Sequence, residues 1–565
     1  MSELAARALA ALQSGRAAEA EALVRAAPAA ARDASALQIL GAACSAQGRH
    51  DAALEAFERA VQLLPASAAL QYNRASCLQR CERIEEALQG YRKALQLDPA
   101  LAPARSALVS ALCSIGLESF RAKAHERALA SYREALALDP ATDAAANALG
   151  AVLVAMDRLD EAIETLRAVC ARSPGDADAI NNLGCALQAR GEAGPASDAF
   201  RRALALRPAH ADALSNLGFL EQEEGRDDEA AALYRRALAA DPQSASAACN
   251  LGVLQLCAFE FGEGWELNEA RYRTAPPVAT ARELGLPRFT AEDWGRGERI
   301  ALWGEQGVGD RIVYSTLLPE LESRGERFVL ETDARLATAY RRAHPGWEVV
   351  TREESAAAFA QCSRQLALAS LPRLMRPTLQ SFARQPPAVL AADAARAAGL
   401  RERLAAPGRK LVGISWRSFQ KSARGALQRK KSAPLDAFLA LARDPALRLV
   451  DLQYGDTASE RADFAARGGH LARLDGLDLF HDLDGVLAAI EACDLVITTS
   501  NVTAHLAGAL GKTTLLVYLA ARPPFHYWAT DASGRSLWYP SMRIVTGREI
   551  DSWAEALARA GELAA

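Results

Sequence analysis

LGCALQARGEAGPASDAFRRALALRP, residues 183–208, and LGFLEQEEGRDDEAAALYRRALAADP, residues 217–242, are two copies of one pattern set 34 residues apart. In the first, small and large positions fall on Leu183, Gly184, Ala196, Phe200 and Ala203 ahead of Pro208; in the second, on Leu217, Gly218, Ala230, Tyr234 and Ala237 ahead of Pro242. The same frame runs back through Ala87, Tyr91 and Ala94 before Pro99, and through Leu40, Gly41, Ala53, Phe57 and Ala60 before Pro65. Pro65, Pro99, Pro140, Pro174, Pro208 and Pro242 are separated by 34, 41, 34, 34 and 34 residues. Apolar residues at helical spacing, closed by a proline that cannot continue the helix, predict a pair of helices per copy. The long interval adds seven residues within SALCSIGLESFRAKAHERAL. That is about two helical turns, so one helix is expected to lengthen without changing its buried face.

The period is the signature of the tetratricopeptide helix-turn-helix repeat. One helix pair cannot bury its apolar stripe alone, so roughly seven units, two of them partial, are expected to stack into one superhelical core. Such a surface binds extended chains or partner proteins; the plainer reading is a dimer clamp or a rigid spacer. Half of the residues are apolar, and alanine dominates the first half of the chain, as close helix packing requires. At 565 residues the chain exceeds one hydrophobic core, so roughly two or three domains are expected.

A formal net charge of -4 argues against nucleic acid or a membrane surface as the main partner. No run approaches the roughly 18 apolar residues of a membrane span. The start, MSELAARALAALQSGRAAEA, carries charges within its apolar stretch and reads as an amphipathic helix rather than a signal peptide. The ten cysteines have no zinc or redox spacing; Cys77 and Cys81 share a helix face without further ligands nearby. A reducing, cytoplasmic location is expected.

Near Ala275 the character changes. The expected organisation is repeats over 1–274, a Pro- and Gly-rich linker over 275–298, a first lobe over 299–395 and a second over 396–565. ERIALWG, ERFVLE and GWEVVT read as strands, with helices DRIVYSTLLPELESRG and DARLATAYRRAH between them. A second series runs through RKLVGISW, LRLVDLQY, DLVITT and TTLLVYL, with helices LDAFLALAR, DGVLAAIEA and TAHLAGALG. Two β/α series predict two Rossmann-like lobes with parallel sheets, in which ligands bind where strands hand over to helices.

Three loops stand at such positions. In GEQGVGD, Gly304, Gly307 and Gly309 permit tight turns, and the helix beginning near Asp310 offers unpaired N–H groups to an anion or sugar oxygen. Asp310 is either a helix cap or a general base facing the cleft. The order is not that of a dinucleotide fingerprint, although Glu331 ends the next strand where a ribose-binding acid would sit. RSFQKSARGALQRKKS carries Arg417, Lys421, Arg424, Arg429, Lys430 and Lys431 without an acid, which reads as a phosphate clamp or a solvated face. TTSNVTAHLAGALG sets Ser500, Asn501 and Thr503 before a helix containing His505, suited to phosphate or carboxylate oxygens or to simple capping. In PPFHYWATDASGRSLWYP, Phe525, Tyr527 and Trp528 line an acceptor cleft or form the edge of the lobe's core. GALGKTT lacks the first P-loop glycine, having Leu506 there, and runs from helix into strand, so a helix C-cap is expected; Asp482 and Asp484 precede an apolar helix and read as caps.

Strand-GEQGVGD-helix, VGISWR, RKKSAPLDAF, LVDLQYGD and ACDLVITTSNVTAHLAGALGKTT followed by WYPSMRIV resemble, in that order, the heptosyltransferase-like (family 9) GT-B domain of bacterial tetratricopeptide glycosyltransferases. FGEGWELNEARYR looks like the segment joining repeats to transferase in those proteins. The architecture is similar to protein O-GlcNAc transferases and to bacterial flagellin glycosyltransferases. The resemblance implies an all-α repeat superhelix followed by an α/β GT-B fold of two Rossmann-like lobes, and an enzyme moving a sugar from a nucleotide to a protein side chain. It implies Asp310, beside Gly309, as the base that deprotonates the acceptor hydroxyl for in-line attack. Lys431, with Lys430 and Arg417 in the same loop, would lie near the donor phosphate; the helix start at Thr503, Ala504 and His505 would hold that phosphate. Tyr454 would flank the base or ribose. No metal or cofactor is required, because cations and the helix dipole can stabilise the leaving group.

The family usually has Asp-Thr where this chain has Ser500 and Asn501. Losing that acid removes repulsion toward a donor with its own carboxylate, such as CMP-pseudaminic or CMP-legionaminic acid. The expected function is therefore a protein O-glycosyltransferase whose repeats capture an acceptor, flagellin in the best-fitting case, and whose second half transfers a nonulosonic acid to Ser or Thr. The alternatives are a hexose or heptose transferase using a nucleoside-diphosphate sugar, and a non-catalytic repeat scaffold that senses a nucleotide sugar.

Overall fold

The computed structural model describes residues 3–27, 32–274, 279, 281–305, 307–418, 432–519, 525–546, 552–555 and 557–558. The chain divides into two compact units, Met1–Ala213 and Leu214–Ala565.

In the first unit, helices pack as consecutive pairs. Asp176 caps Ala177–Arg190 by accepting from the N–H groups of Asp178 and Ala179 at 3.0 Å, and Gly191 ends it in the left-handed region at φ 90°. Ala193–Leu206 then folds back, and its Phe200 is fully buried against Gly184. A Cβ at Gly184 would stand 2.5 Å from the Phe200 ring, so only glycine admits that ring. Gly41 meets Phe57 in the same way at 2.7 Å, and Gly116 meets Tyr132 at 2.7 Å. Ala102–Arg121 has 20 residues where its counterparts Ala68–Arg80 and Asp143–Ala155 have 13, the lengthening expected from the long interval. Its buried positions, Leu108, Leu112, Ile115 and Ser119, keep one face throughout.

The second unit opens with further helices of the same kind, Asp227–Ala240, Ala245–Cys257 and Phe261–Asn268. Two parallel sheets follow. The first contains β1 (Arg299–Trp303), β2 (Arg327–Glu331), β3 (Glu348–Val350) and β4 (Arg364–Ala367), in the order β3-β2-β1-β4. The second contains β5 (Lys410–Ser415), β6 (Leu447–Asp451), β7 (Leu495–Thr498), β8 (Thr514–Tyr518) and β9 (Met542–Thr546), in the order β6-β5-β7-β8-β9. Every pairing is parallel, and buried apolar runs such as Ile300–Leu302 and Leu515–Val517 mark strands covered on both faces.

Two local expectations need correction, and one strand carries no sequence signal. DRIVYSTLLPELESRG is two helices, Val308–Ser315 and Leu318–Ser323, because Pro319 opens a new first turn. LDAFLALAR begins as a 3-10 turn, Leu435–Phe438, before the short helix Leu439–Arg443. β4, with the sequence RQLA, is too short and too polar to signal a strand, yet it pairs with β1 from Ile300↔Arg364 to Trp303↔Ala367.

Both sheets reverse strand order at one point, between β1 and β4 and between β5 and β7. Loops leaving neighbouring strands at such a point diverge to opposite faces and open a crevice for ligands. The glycine loop leaves β1, the cation-rich loop leaves β5 and the Ser500–Asn501 loop leaves β7. An aromatic cluster lies beneath them: Trp265 stands edge-on to His526 at 5.0 Å and to Trp538 at 6.4 Å, and its indole donates to the Arg376 carbonyl at 2.9 Å. Among the described residues no helix is long and apolar enough to cross a membrane.

Candidate functional site

Helices Val308–Ser315 and Val502–Ala509 meet at their N-terminal turns. A Cβ at Gly309 would stand 2.7 Å from His505 Cδ2, so glycine sets the closeness of this crossing. Two helix N-termini from two sheets thus converge, each carrying the partial positive charge of a helix start. Asp310 occupies the first turn of the former, partly exposed, with Oδ2 3.5 Å from a Cβ built on Gly307, the N-cap. Its charge reaches its surroundings. The Tyr314 phenol is pushed well up, first by burial and next by the Asp310 carboxylate, and the Tyr539 phenol by burial, then Tyr340, then Asp310.

The residues after β7 are tied down by hydrogen bonds. Asn501 is the N-cap, its side-chain oxygen accepting from the Ala504 N–H at 3.4 Å and from Thr498 Oγ1 at 3.2 Å. Its Nδ2 donates to Ser415 Oγ at 2.9 Å, and that hydroxyl donates to Gln453 Oε1 at 3.1 Å. Ser500 is buried, and its hydroxyl accepts from Trp528 Nε1 at 2.9 Å. Thr503 and Ala504 are buried in the first turn, and His505 Nδ1 lies 2.9 Å from the Tyr539 hydroxyl, with the Trp528 ring tilted against its own at 4.5 Å. Trp528 therefore belongs to the core edge, whereas Phe525 and Tyr527, stacked at 4.9 Å, remain partly open.

Gln453 joins the loops after β5 and β6. Fully buried, it accepts from the N–H groups of Trp416 at 2.8 Å and Arg417 at 2.7 Å and donates to the carbonyls of Arg417 and Tyr454. Arg417 is not an isolated cation, since its guanidinium donates to Glu460, which also receives Trp416 Nε1 at 2.6 Å. Lys430 and Lys431, with Lys421, Arg424 and Arg429, lie outside the described residues.

Beside β6 a cavity of about 280 Å3 opens, lined by Asp451, Tyr454, Arg461, Arg473, Asp478 and Phe480, among others. The Tyr454 and Phe480 rings are 6.3 Å apart, and Arg335, from the first sheet's side, lies over Phe480 at 5.5 Å while donating to its carbonyl at 2.8 Å. Asp451 pairs with Arg461 at 2.7 Å, and burial pushes its carboxyl up against that pull. Aromatic walls with mixed charges suit a planar, polar ligand.

The sequence-named residues fall into two groups. Gly309, Asp310, Ser500, Asn501, Thr503, Ala504 and His505 come together at the helix crossing; Arg417 and Tyr454 belong to the Gln453 group, and Asn501–Ser415–Gln453 links the two. Gln453, Glu460 and Phe480 carry much of the geometry without having been singled out; a polar residue buried at a strand end, as in LVDLQYGD, is the signal that Gln453 offered. Glu331 is fully buried and held by Arg282 and Arg352, so it is not available to a ribose. Gly511, at φ +73°, ends the helix before β8, and Asp482 caps Leu483–Ala492 at 2.8 Å while Asp484 pairs with Arg342.

The helix pairs are tetratricopeptide repeats. A family described as Tetratricopeptide repeat matches residues 43–102 and 181–245, and a second of the same description matches 119–184. Protein FlbA of Caulobacter vibrioides is 32% identical over 319 residues, which is 53% of this chain and 51% of that protein, so the chain spans about half the length of this curated relative. Among solved structures, YrrB, a TPR protein with an unusual peptide-binding site, is 24% identical and covers 34% of this chain and 96% of its own, with a TM-score of 0.28. The C-terminal part of a TPR repeat-containing protein from Cytophaga hutchinsonii is 16% identical over 43% of this chain and 97% of its own, with a TM-score of 0.34.

Proposed function

We propose that the chain is a protein O-glycosyltransferase with a GT-B-type second half. What carries the reading is the crossing of two helix N-termini at the switch points of two parallel sheets, with Asp310 at the crossing and the cavity beside Tyr454 in the same unit. Asp310 takes the proton from an acceptor Ser or Thr hydroxyl, and the oxygen attacks the anomeric carbon as the bond to the nucleotide phosphate breaks. The amides at Thr503 to His505, with Arg417, Lys430 and Lys431, receive the charge left on that phosphate. Tyr454 flanks the base or ribose.

The repeats bring the acceptor, with flagellin the best fit by resemblance. Ser500, a neutral hydroxyl where the resembled family has an acid, fits a CMP-linked nonulosonic acid.

The first experiment is a thermal shift of the purified chain with CMP, UDP, GDP and ADP. A ligand at 100 times its dissociation constant adds about 2.7 kcal/mol. Stabilisation by CMP alone supports the nonulosonic acid; preference for a diphosphate returns the reading to hexose or heptose transfer; silence from all four points to a scaffold. With the donor known, Asp310→Ala is expected to lower kcat roughly 100- to 10,000-fold, with donor binding retained. Undiminished transfer would sink the base.

A further inference from the structure

The polar cluster beneath the glycine loop is used by none of the roles above. Arg271, 1% exposed, ends the helical segment that precedes the sheets. Its Nε donates to Glu305 Oε1 at 2.8 Å, Nη1 to Glu269 Oε1 at 2.8 Å, and Nη2 to the Tyr272 and Ser370 hydroxyls, both at 2.8 Å. Tyr272 donates its hydroxyl proton to the other Glu305 oxygen, and Ser370 donates to Glu269 at 2.8 Å. Glu269 is also held by Arg288. Burial works against the Arg271 charge, but Glu305 and Glu269 outweigh it and hold the guanidinium protonated. The Glu305 carboxyl is pushed up by burial against the pull of Arg271, which it shares with Glu269.

The cluster joins three chain segments. Glu305 is where the glycine loop leaves β1, Ser370 follows β4 across the switch point, and Arg271 and Tyr272 come from the end of the helical segment. The far end of the loop is closed too: a Cβ at Gly304 would stand 2.5 Å from Arg311 Nε, so the Arg311 side chain lies back over the loop's first glycine. Asp310 sits between these two fixed points.

We infer that Arg271 and Glu305 are positioning residues, which hold the entry of the glycine loop so that Asp310 and the first amides of its helix keep their aim at the crossing with His505. The inference rests on the transferase reading for its effect on rate, but its structural content stands apart from that reading. A buried charge fixed on both sides by hydrogen bonds has one arrangement, and Glu305→Gln keeps the shape of the side chain while removing its negative charge. Arg271 retains Glu269 in that variant, so the fold has a partner for its cation.

The test uses full-length wild type and Glu305→Gln, with Arg271→Lys as a second variant that keeps the charge and loses the fork. Amide hydrogen exchange is followed in the peptide spanning 304–311 alongside transfer kinetics. Expected is faster exchange in that peptide, with β1 and β5 unchanged, and a kcat lowered roughly 10- to 100-fold at constant donor KM, since small misplacements of a reacting group have effects of that order. If exchange stays at the wild-type rate, or only the melting temperature falls while kcat holds, the positioning role is overturned. If exchange rises as expected while wild type transfers no sugar from any nucleotide, the positioning role stands and the transferase reading fails.

Discussion

Gly184 in the repeats and Gly309 in the α/β unit both exist to admit a ring, yet their surroundings differ in kind. The ring at Gly184 is Phe200, buried and apolar, and the contact returns at Gly41 with Phe57 and at Gly116 with Tyr132. The ring at Gly309 is His505, which is hydrogen-bonded to Tyr539 and packed at a tilt against Trp528, and no second copy of that arrangement occurs among the described residues. A repeated apolar contact stabilises a fold one unit at a time. A single polar contact between distant segments sets the geometry of one place.

Removal of the ring on the apolar side is expected to have the largest effect. Phe200→Ala leaves a void over Gly184 that neither helix can fill, and a loss of about 3–5 kcal/mol is expected in urea unfolding followed by far-UV circular dichroism. Because repeats act mainly on their neighbours, the α/β unit is expected to keep its own unfolding transition. A loss below about 1 kcal/mol would show that the array does not depend on this contact.

The same difference explains what the sequence disclosed. The repeats were legible because one residue pattern recurs with one period, and even the irregular interval announced itself as the 20-residue helix Ala102–Arg121. Most strands of the α/β unit were legible as buried apolar runs; β4 was not, because RQLA is recognised only by pairing with β1. At the candidate site the loops could be named from glycines and helix starts. The partners that fix them could not. Asn501 reaches Ser415 and then Gln453, Ser500 receives Trp528, and Arg271 grips Glu305, contacts separated by 28 to 86 positions in the chain. Such contacts leave no local period to read.

Beneath the crossing, His526 offers a milder test of the polar side. It is buried, with Nε2 3.1 Å from the Tyr314 hydroxyl, and burial pushes it down to about 3. The unfolded chain binds its proton near pH 6.5 and the folded chain does not, so the unfolded state carries more protons between those values and stability rises with pH there. The contribution is whole above about pH 6.5 and is lost progressively below it. Wild type is expected to lose about 2 kcal/mol between pH 7 and pH 5 that His526→Phe does not lose, a figure set by about 1.5 pH units at about 1.4 kcal/mol each. Parallel stability profiles for the two proteins would mean that His526 takes up its proton in the folded state.

The smallest effects are expected where both regions carry the same device near water. Arg92 grips Glu134 through two bonds of 2.7 and 2.8 Å between repeats, and Arg342 grips Asp484 through bonds of 2.8 and 3.0 Å between the two sheets' helices. Both pairs are partly exposed, so the field between the charges is weakened by solvent and offset by the entropy of holding two long side chains. Glu134→Gln and Asp484→Asn should each lower stability by less than about 1 kcal/mol, read as a shift of a few degrees at most in melting temperature. Their near-equality would assign the difference between the regions to buried contacts alone. A much larger drop for Asp484→Asn would instead make the pairing of the two sheets' helices, rather than the crossing at Gly309, the contact that holds the crevice in shape.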